Sequence, residues 1–436
     1  MAQVVHDHLN DEASLAVPVS AAVRPGWVAS TFDSLGIRAY RILWIGTVLS
    51  FIGFMMTMTA QNVVAYDLTG SNRSVGWVMF GQGLAMLGLT PFGGAVADRV
   101  SKRLLLLVCQ ATIGAAALIV GLLILTDAIT VFFLAAGAFV TGTMFSFIGP
   151  TRTAFIGELV EPERRGNAIA LTQVGMNATR VGGPFIAGAL LAWKAMGAAG
   201  TYFVVAAIFV LVVATLAQLP PSRTRDTHGS SVLGDIRLGM KHVLENARLR
   251  QIVVGFILVT VLGFPYMVVL PGFSKDVLGA GTAGFGLMVG VSAVGGLAMS
   301  LVVASLADSS RAPMFLFLSS IGLGVSLILT GLAPTFPIAV LTMVLVGAAG
   351  SAFQTLNNAM ALRLAHADYF GRVMSLMMLA WSFTGLFGLP IGVIADAVGE
   401  RAVLVALGVA VCAAVTVLAF IQGRTAGPEP ALPSAY

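Results

Sequence analysis

The stretch Gly94-Ala-Val-Ala-Asp98-Arg99-Val-Ser-Lys102-Arg103 decides how this chain is read. It lies between two long apolar runs, so a short basic turn carrying one acid joins two membrane spans. An aspartate is tolerated at a membrane boundary when it meets an arginine or the positive N-terminal end of a helix. The small residues ahead of it, Gly93, Gly94, Ala95 and Ala97, let a neighbouring helix come close. On charge alone the turn is equally a basic loop that only fixes topology. A fainter copy argues for more. Ala304-Ser-Leu-Ala307-Asp308-Ser-Ser-Arg311 follows another long apolar run, with Asp308 standing 210 residues after Asp98.

Composition bounds the class. The 436 residues are 58% hydrophobic and only 10% charged, with a mean hydropathy of +0.94. A soluble core does not need that much apolar surface, whereas repeated spans of roughly 20 apolar residues do. The net charge of +5 does not point to nucleic acid, because the basic residues gather in loops on one side of the spans. Cys109 and Cys412 both fall within apolar runs and read as inert core thiols, without disulfide or metal-ligand spacing. No phosphate-binding Gly-rich loop and no nucleophile-base constellation occurs, so neither an enzyme nor ATP-driven transport is expected, and no cofactor. The polar first forty residues lack a basic segment leading into an apolar stretch and cleavage site, so no cleaved signal peptide is expected.

Twelve helical spans are expected near 43–66, 74–97, 104–125, 130–151, 167–192, 200–219, 252–273, 283–306, 313–332, 336–358, 371–394 and 402–421. The domains read as a tail over 1–42, a six-helix bundle over 43–219, a linker over 220–251, a second bundle over 252–421 and a tail over 422–436. Within the linker, Leu233, Ile236, Met240, Val243 and Leu244 recur at helical spacing opposite Asp235, Arg237, Lys241 and Glu245. That pattern predicts an amphipathic helix on the membrane surface between Val232 and Arg248. Of the 24 basic side chains, only Arg73, Lys194, Lys275 and Arg401 fall in the loops opposite the Asp98 turn, and Arg180 lies within a span. The positive-inside rule then places both tails in the cytoplasm, and a bacterial inner membrane is the expected location.

The halves also repeat each other. Leu68-Thr-Gly70-Ser71 before the second span matches Leu278-Gly-Ala-Gly281 before the eighth, and Pro184 and Pro390 fall at similar depths in spans five and eleven. Duplicated halves of this size are the sign of a carrier that rocks two bundles about a midplane site. Gly94-x-x-x-Asp98-Arg99-x-x-Lys102-Arg103 resembles the signature between the second and third helices of the major facilitator superfamily, with Ser101 where glycine is usual. Tyr66-Asp67-Leu68-Thr69-Gly70-Ser71, Gly149-Pro150-Thr-Arg152 and Glu161-Pro162-Glu163-Arg164-Arg165-Gly166-Asn167 are similar to the enterobactin-exporter branch, which also holds drug and macrolide efflux proteins. The resemblance implies an all-α membrane fold of twelve helices in two pseudo-symmetric bundles. It also implies export of a small molecule, with protons as the coupling ion. A monomer in the lipid bilayer is expected.

Span five carries the most informative chemistry. Gln173, Asn177 and Arg180 are spaced i, i+4, i+7 and form one polar stripe. A charge at mid-span costs several kcal/mol unless it meets a partner or a watery cavity. Arg180 therefore either locks packing through backbone carbonyls or faces a substrate. Gly182-Gly183-Pro184-Phe-Ile-Ala-Gly188 resembles the glycine-proline motif of superfamily antiporters, with Thr179 and Ala187 departing from it. Gln61, Asn62, Asn357, Asn358 and Trp381 fall in spans one, ten and eleven. Each of them has a packing role as its plainer alternative, and the resemblance makes them substrate-binding candidates. The gating set is Gly94, Asp98, Arg99, Lys102, Arg103, Arg152 and Asp308, with Arg99 and Arg152 as expected partners of Asp98. No acid lies in the middle third of a span, so a proton site must sit at an edge, and Asp67 and Glu158 are its candidates. Export of amphipathic organic molecules, siderophore or drug-like, is the leading reading. Import of a small metabolite and a non-transporting receptor are the alternatives.

Overall fold

The computed structural model describes residues 33–222, 240–304, 306, 309, 311–365 and 370–425, and all regular structure among them is helical. Both expected tails up to Phe32 and beyond Thr425, the linker over 223–239, and Asp308 lie outside the described residues. Twelve long helices are present among them. They are α1 Arg38–Thr69, α2 Asn72–Arg99, α3 Lys102–Leu125, α4 Val131–Leu159, α5 Arg165–Ala192 and α6 Gly197–Leu216. Then come α7 Ala247–Gly263, α8 Gly281–Ala304, α9 Ala312–Leu332, α10 Phe336–Leu364, α11 Phe370–Val398 and α12 Glu400–Thr425.

Local chemistry sets several boundaries. Gly70 takes φ 66° and its N–H closes α1 on the Tyr66 carbonyl, a left-handed cap that favours glycine. The Ser101 and Thr130 hydroxyls accept from Leu104 N and Phe133 N and so cap α3 and α4. The surface helix expected through Arg248 is interrupted. Residues 240–245 are helical, but the Asn246 amide oxygen accepts from Leu249 N at 3.1 Å and starts α7 anew. Span seven is likewise not one helix. α7 ends at Gly263, Pro265 interrupts the hydrogen-bond ladder, and Tyr266–Gly272 continues as a short helix into a wide turn, Phe273–Val277.

Eleven of the described helical segments are long and apolar enough to cross a membrane, the broken seventh counting as one over Ala247–Val277. The helix outside that set is α5. It has 28 residues, ample length, but carries Gln173 and Arg180. Its polarity is the cost of whatever that stripe does, and a bundle can carry it only where protein or water, not lipid, meets those side chains.

The chain folds as an all-α membrane protein of two pseudo-symmetric six-helix bundles. In the first half α1 packs on α5 and α6, α2 on α4, and α3 on α4 and α6; in the second α7 packs on α11 and α12, α8 on α10, and α9 on α10 and α12. Adding six to each number in the first set gives the second. Burial follows the same division. One apolar core runs from Tyr40 to Leu219 and the other from Val243 to Val415, each borrowing one valine from the opposite half. The halves meet through α2 against α11 and α5 against α8, again exchanged by the twofold.

Those two seams are tight at one end only. A methyl group on Gly83 would stand 2.8 Å from the Gly385 Cα, and one on Gly188 would stand 2.8 Å from the Gly286 Cα. Only glycine permits that approach. Asn72, Gly76 and Gly83 meet Gly392, Gly388 and Gly385 in descending order from the Asp67 end to the middle of the seam. Farther along, toward the turn that holds Lys102, a methyl on Gly94 or Gly182 would meet nothing within 4 Å. The bundles are shut at the Asp67 end and splayed at the Lys102 end.

Candidate functional site

α1 and α5 run side by side in the same direction, pinned by Tyr40 OH donating to the Ala168 carbonyl at 2.6 Å and Trp44 Nε1 to that of Leu171 at 2.9 Å. Their register locates the cation. Gly175 faces Trp44 and Val48, and Gly183 faces Ile52 and Met55, so Arg180 lies level with Phe51. The Arg180 side chain is exposed although protein surrounds it densely, which describes a group facing an internal cavity and not the outer surface. No hydrogen bond or ion pair to a described residue holds its guanidinium. Gln173, two turns earlier on the same face, is also exposed.

A second arginine reaches the same level. Arg152 of α4 is 5% exposed, and its guanidinium carbon lies 5.4 Å from the centre of the Phe51 ring. It too makes no hydrogen bond or ion pair with a described residue. Phe51 stands edge-on to Phe145 with ring centres 5.7 Å apart, and Phe54 stacks on Phe145 at 3.8 Å. Across the seam, Trp381 and Phe264 pack edge-to-face at 4.8 Å. Two cations and an aromatic cluster therefore share one depth in the first bundle, without an acid among the described residues to neutralise them.

The remaining expected residues divide. Gln61 is buried inside the first bundle, donating to Gln82 at 3.2 Å. Asn357 donates to the Ile252 carbonyl at 3.4 Å and lines a groove bounded by Gln251, Pro313 and Leu418, within the second bundle at its Lys102 end. Asn62 is buried with its amide oxygen unpartnered, and Asn358 is half-buried. The backbones of Asp98 and Asn177 lie in α2 and α5, but their side chains fall outside the description.

The described contacts at the Lys102 turn lie within the first half. Lys102, its side chain 6% exposed, bridges to Glu158 of α4 at 2.8 Å. Arg103 donates to the Ala217 carbonyl at the end of α6, and Lys102 N donates to the Ser222 hydroxyl at 2.6 Å. These contacts staple α3 to its own bundle. Arg99 is exposed and the expected partner Arg152 rests on Phe51, while Gly94 lies open.

At the other end, sequence reasoning singled out Asp67 alone and missed its partners and neighbours. Lys275 bridges to Asp67 at 2.7 Å, and Tyr66 OH donates to Asp276. Asn72 donates its side-chain amide to Glu400 at 2.8 Å and its backbone N–H to Asp396 at 2.7 Å. Ser71 OH also donates to Asp396, as does Arg73 N at 3.1 Å. Every one of these joins one half to the other. A signal was present: Gly392-Val-Ile-Ala-Asp396 ends α11 with the same Gly-x-x-Ala-Asp that ends α2 at Asp98.

Paired bundles, a twofold seam closed at one end and a charged cavity at mid-depth define the class of membrane transporters that expose one site to either side in turn. Residues 43–389 match the family model described as Major Facilitator Superfamily, and the chain belongs to that family. It is 24% identical over 390 residues to the staphyloferrin A transporter of Staphylococcus aureus (strain NCTC 8325 / PS 47), covering 88% of this chain and 94% of that protein. It is 26% identical over 259 residues to the multidrug resistance protein MdtH of Cronobacter sakazakii (strain ATCC BAA-894), covering 58% of this chain and 60% of the relative. Among solved structures, an inward-facing, unoccupied bacterial homolog of the human lysosomal transporter Spinster superposes with a TM-score of 0.71 at 15% identity, covering 90% of this chain and 98% of the other. The nucleoside transporter NupG gives a TM-score of 0.70 at 17% identity, over 88% and 99% of the two chains.

Proposed function

We propose that this major facilitator transporter exports amphipathic organic molecules, siderophore- or drug-like, and that its cavity selects neutral or anionic cargo over cationic cargo. The observation that carries the reading is Arg180, exposed to the cavity at mid-depth with no acid among the described residues to pair it. A desolvated cation strongly attracts carboxylate or phenolate and repels a quaternary ammonium. Arg152 beneath the same aromatic cluster adds a second positive centre and favours cargo with more than one anionic group. A relative named for a siderophore, matched over nearly its whole length, supports the siderophore end of the range.

The protein works as a monomer in the cytoplasmic membrane with both termini cytoplasmic. The Lys102 end then faces the cytoplasm, and the present arrangement is inward-open. Asp98 closes that end in the opposite state. Protons entering through an edge acid drive the exchange. Everted membrane vesicles from cells with and without the protein test the reading with a polycarboxylate siderophore and a quaternary ammonium dye. The siderophore is expected to accumulate in everted vesicles only when the protein is present. Accumulation of the dye alone, or of the siderophore only in right-side-out vesicles, rules the proposal out.

A further inference from the structure

Ser71 occupies the N-cap position of α2 with extended backbone angles, φ −129° and ψ 131°, yet its hydroxyl caps nothing in its own helix. Serine is among the strongest N-cap residues. Here its hydroxyl donates to Asp396 of α11, and the same carboxylate accepts from the first free N–H groups of α2, Asn72 N at 2.7 Å and Arg73 N at 3.1 Å. A helix N-terminus needs an acceptor for such groups and favours negative charge there. That acceptor comes from the other bundle. Asn72 reinforces the join by donating to Asp396 at 3.2 Å and to Glu400 at 2.8 Å.

We propose that Asp396 is a positioning residue for alternating access: it caps α2 in trans and so holds the Asp67 end shut. When that end opens, Asp396 leaves with α11, and the Ser71 hydroxyl, no longer a donor, turns to cap α2 in cis. This exchange of caps keeps the opening cost moderate. Asp67–Lys275 and Tyr66–Asp276 lie beside the trans cap and break in the same motion. The inference depends on the closed seam alone and makes no use of the cargo.

The test reads the population open at the Asp67 end. Spin labels go on Thr126→Cys and Leu332→Cys, exposed positions on opposite bundles at that end, in protein carrying Cys109→Ala and Cys412→Ala. Pulsed-dipolar distances are recorded in lipid nanodiscs. Removing a cap is worth about 1 kcal/mol, which is about fivefold in a population ratio. Asp396→Ala is therefore expected to raise the open-to-closed ratio about fivefold. Asp396→Asn, which keeps one acceptor oxygen, is expected to raise it about twofold. Adding Ser71→Asp to Asp396→Ala gives α2 a permanent cis cap. That double variant is expected to regain thermal stability while its ratio stays high. A ratio unchanged in both single variants, or one that returns to the parent value in the double variant, overturns the proposal. In the second case Asp396 merely stabilises α2.

Discussion

Arg180 is the residue whose replacement separates a binding role from a packing role. Gln preserves length and hydrogen-bonding capacity but removes the charge. A charge-assisted hydrogen bond is worth about 1.5–3 kcal/mol, so Arg180→Gln is expected to lower transport of anionic cargo about tenfold to a hundredfold. Transport of cationic dyes is expected to hold or rise, because the repulsion is gone. Initial rates for a matched anionic and cationic pair, normalised to the amount of protein in the membrane, provide the measurement. An unchanged preference makes Arg180 a structural residue. The cavity side of α5 could be anticipated because i, i+4, i+7 spacing alone puts Gln173 and Arg180 on one face. Arg152 could not be assigned in this way. Its place over Phe51 depends on how α4 leans against α1, and nothing local to Arg152 encodes that.

At the scale of elements, the helix seams control the cycle. Gly83 and Gly385 meet backbone to backbone where α2 crosses α11, a contact belonging to the closed Asp67 end. Gly83→Ala inserts a methyl where there is no room, and overpacking of this kind costs about 1–3 kcal/mol. The cost falls on the closed arrangement alone, so the variant is expected to fold, to insert and to favour the state open at the Asp67 end. Accessibility of a cysteine at Ser382, a near-isosteric change at a buried position beside Gly83, measured with a membrane-impermeant maleimide in the cysteine-free background, is expected to rise about fivefold or more. Equal labelling with and without Gly83→Ala means that the seam opens elsewhere. Helix identities and most boundaries were legible, since apolar runs and capping residues are local signals. The break after Gly263 was not foreseen, although Pro265 stood in the sequence as its marker.

At the scale of the whole molecule, coupling asks which acid takes up a proton as the bundles rock. Both edge acids named from the sequence have lysine partners in this state, Asp67 with Lys275 across the bundles and Glu158 with Lys102 within one. Only the first pair must break when the Asp67 end opens. We therefore expect Asp67→Asn to abolish substrate-induced proton movement in reconstituted vesicles. Glu158→Gln is expected to lower protein stability, by removing its ion pair with Lys102, while leaving the proton-to-substrate ratio unchanged. Proton flux untouched by both substitutions removes both residues from the coupling path.

The sequence by itself determined that this is a membrane protein of duplicated halves with one cation in the middle, because hydropathy, charge bias and helical spacing are properties of short stretches. It also carried the family likeness, in residues such as Gly94, Asp98, Lys102 and Arg103 that lie close together along the chain. Only the tertiary structure decided which partners those residues take. Lys102 meets Glu158, and Asp396 meets the start of α2, more than 300 residues away, because two bundles fold around separate cores and then close along glycine seams. Such pairings follow from how whole helices cross and which end of the seam is shut. A carboxylate at a helix end reads the same in sequence whether it faces water or caps a helix of the opposite half.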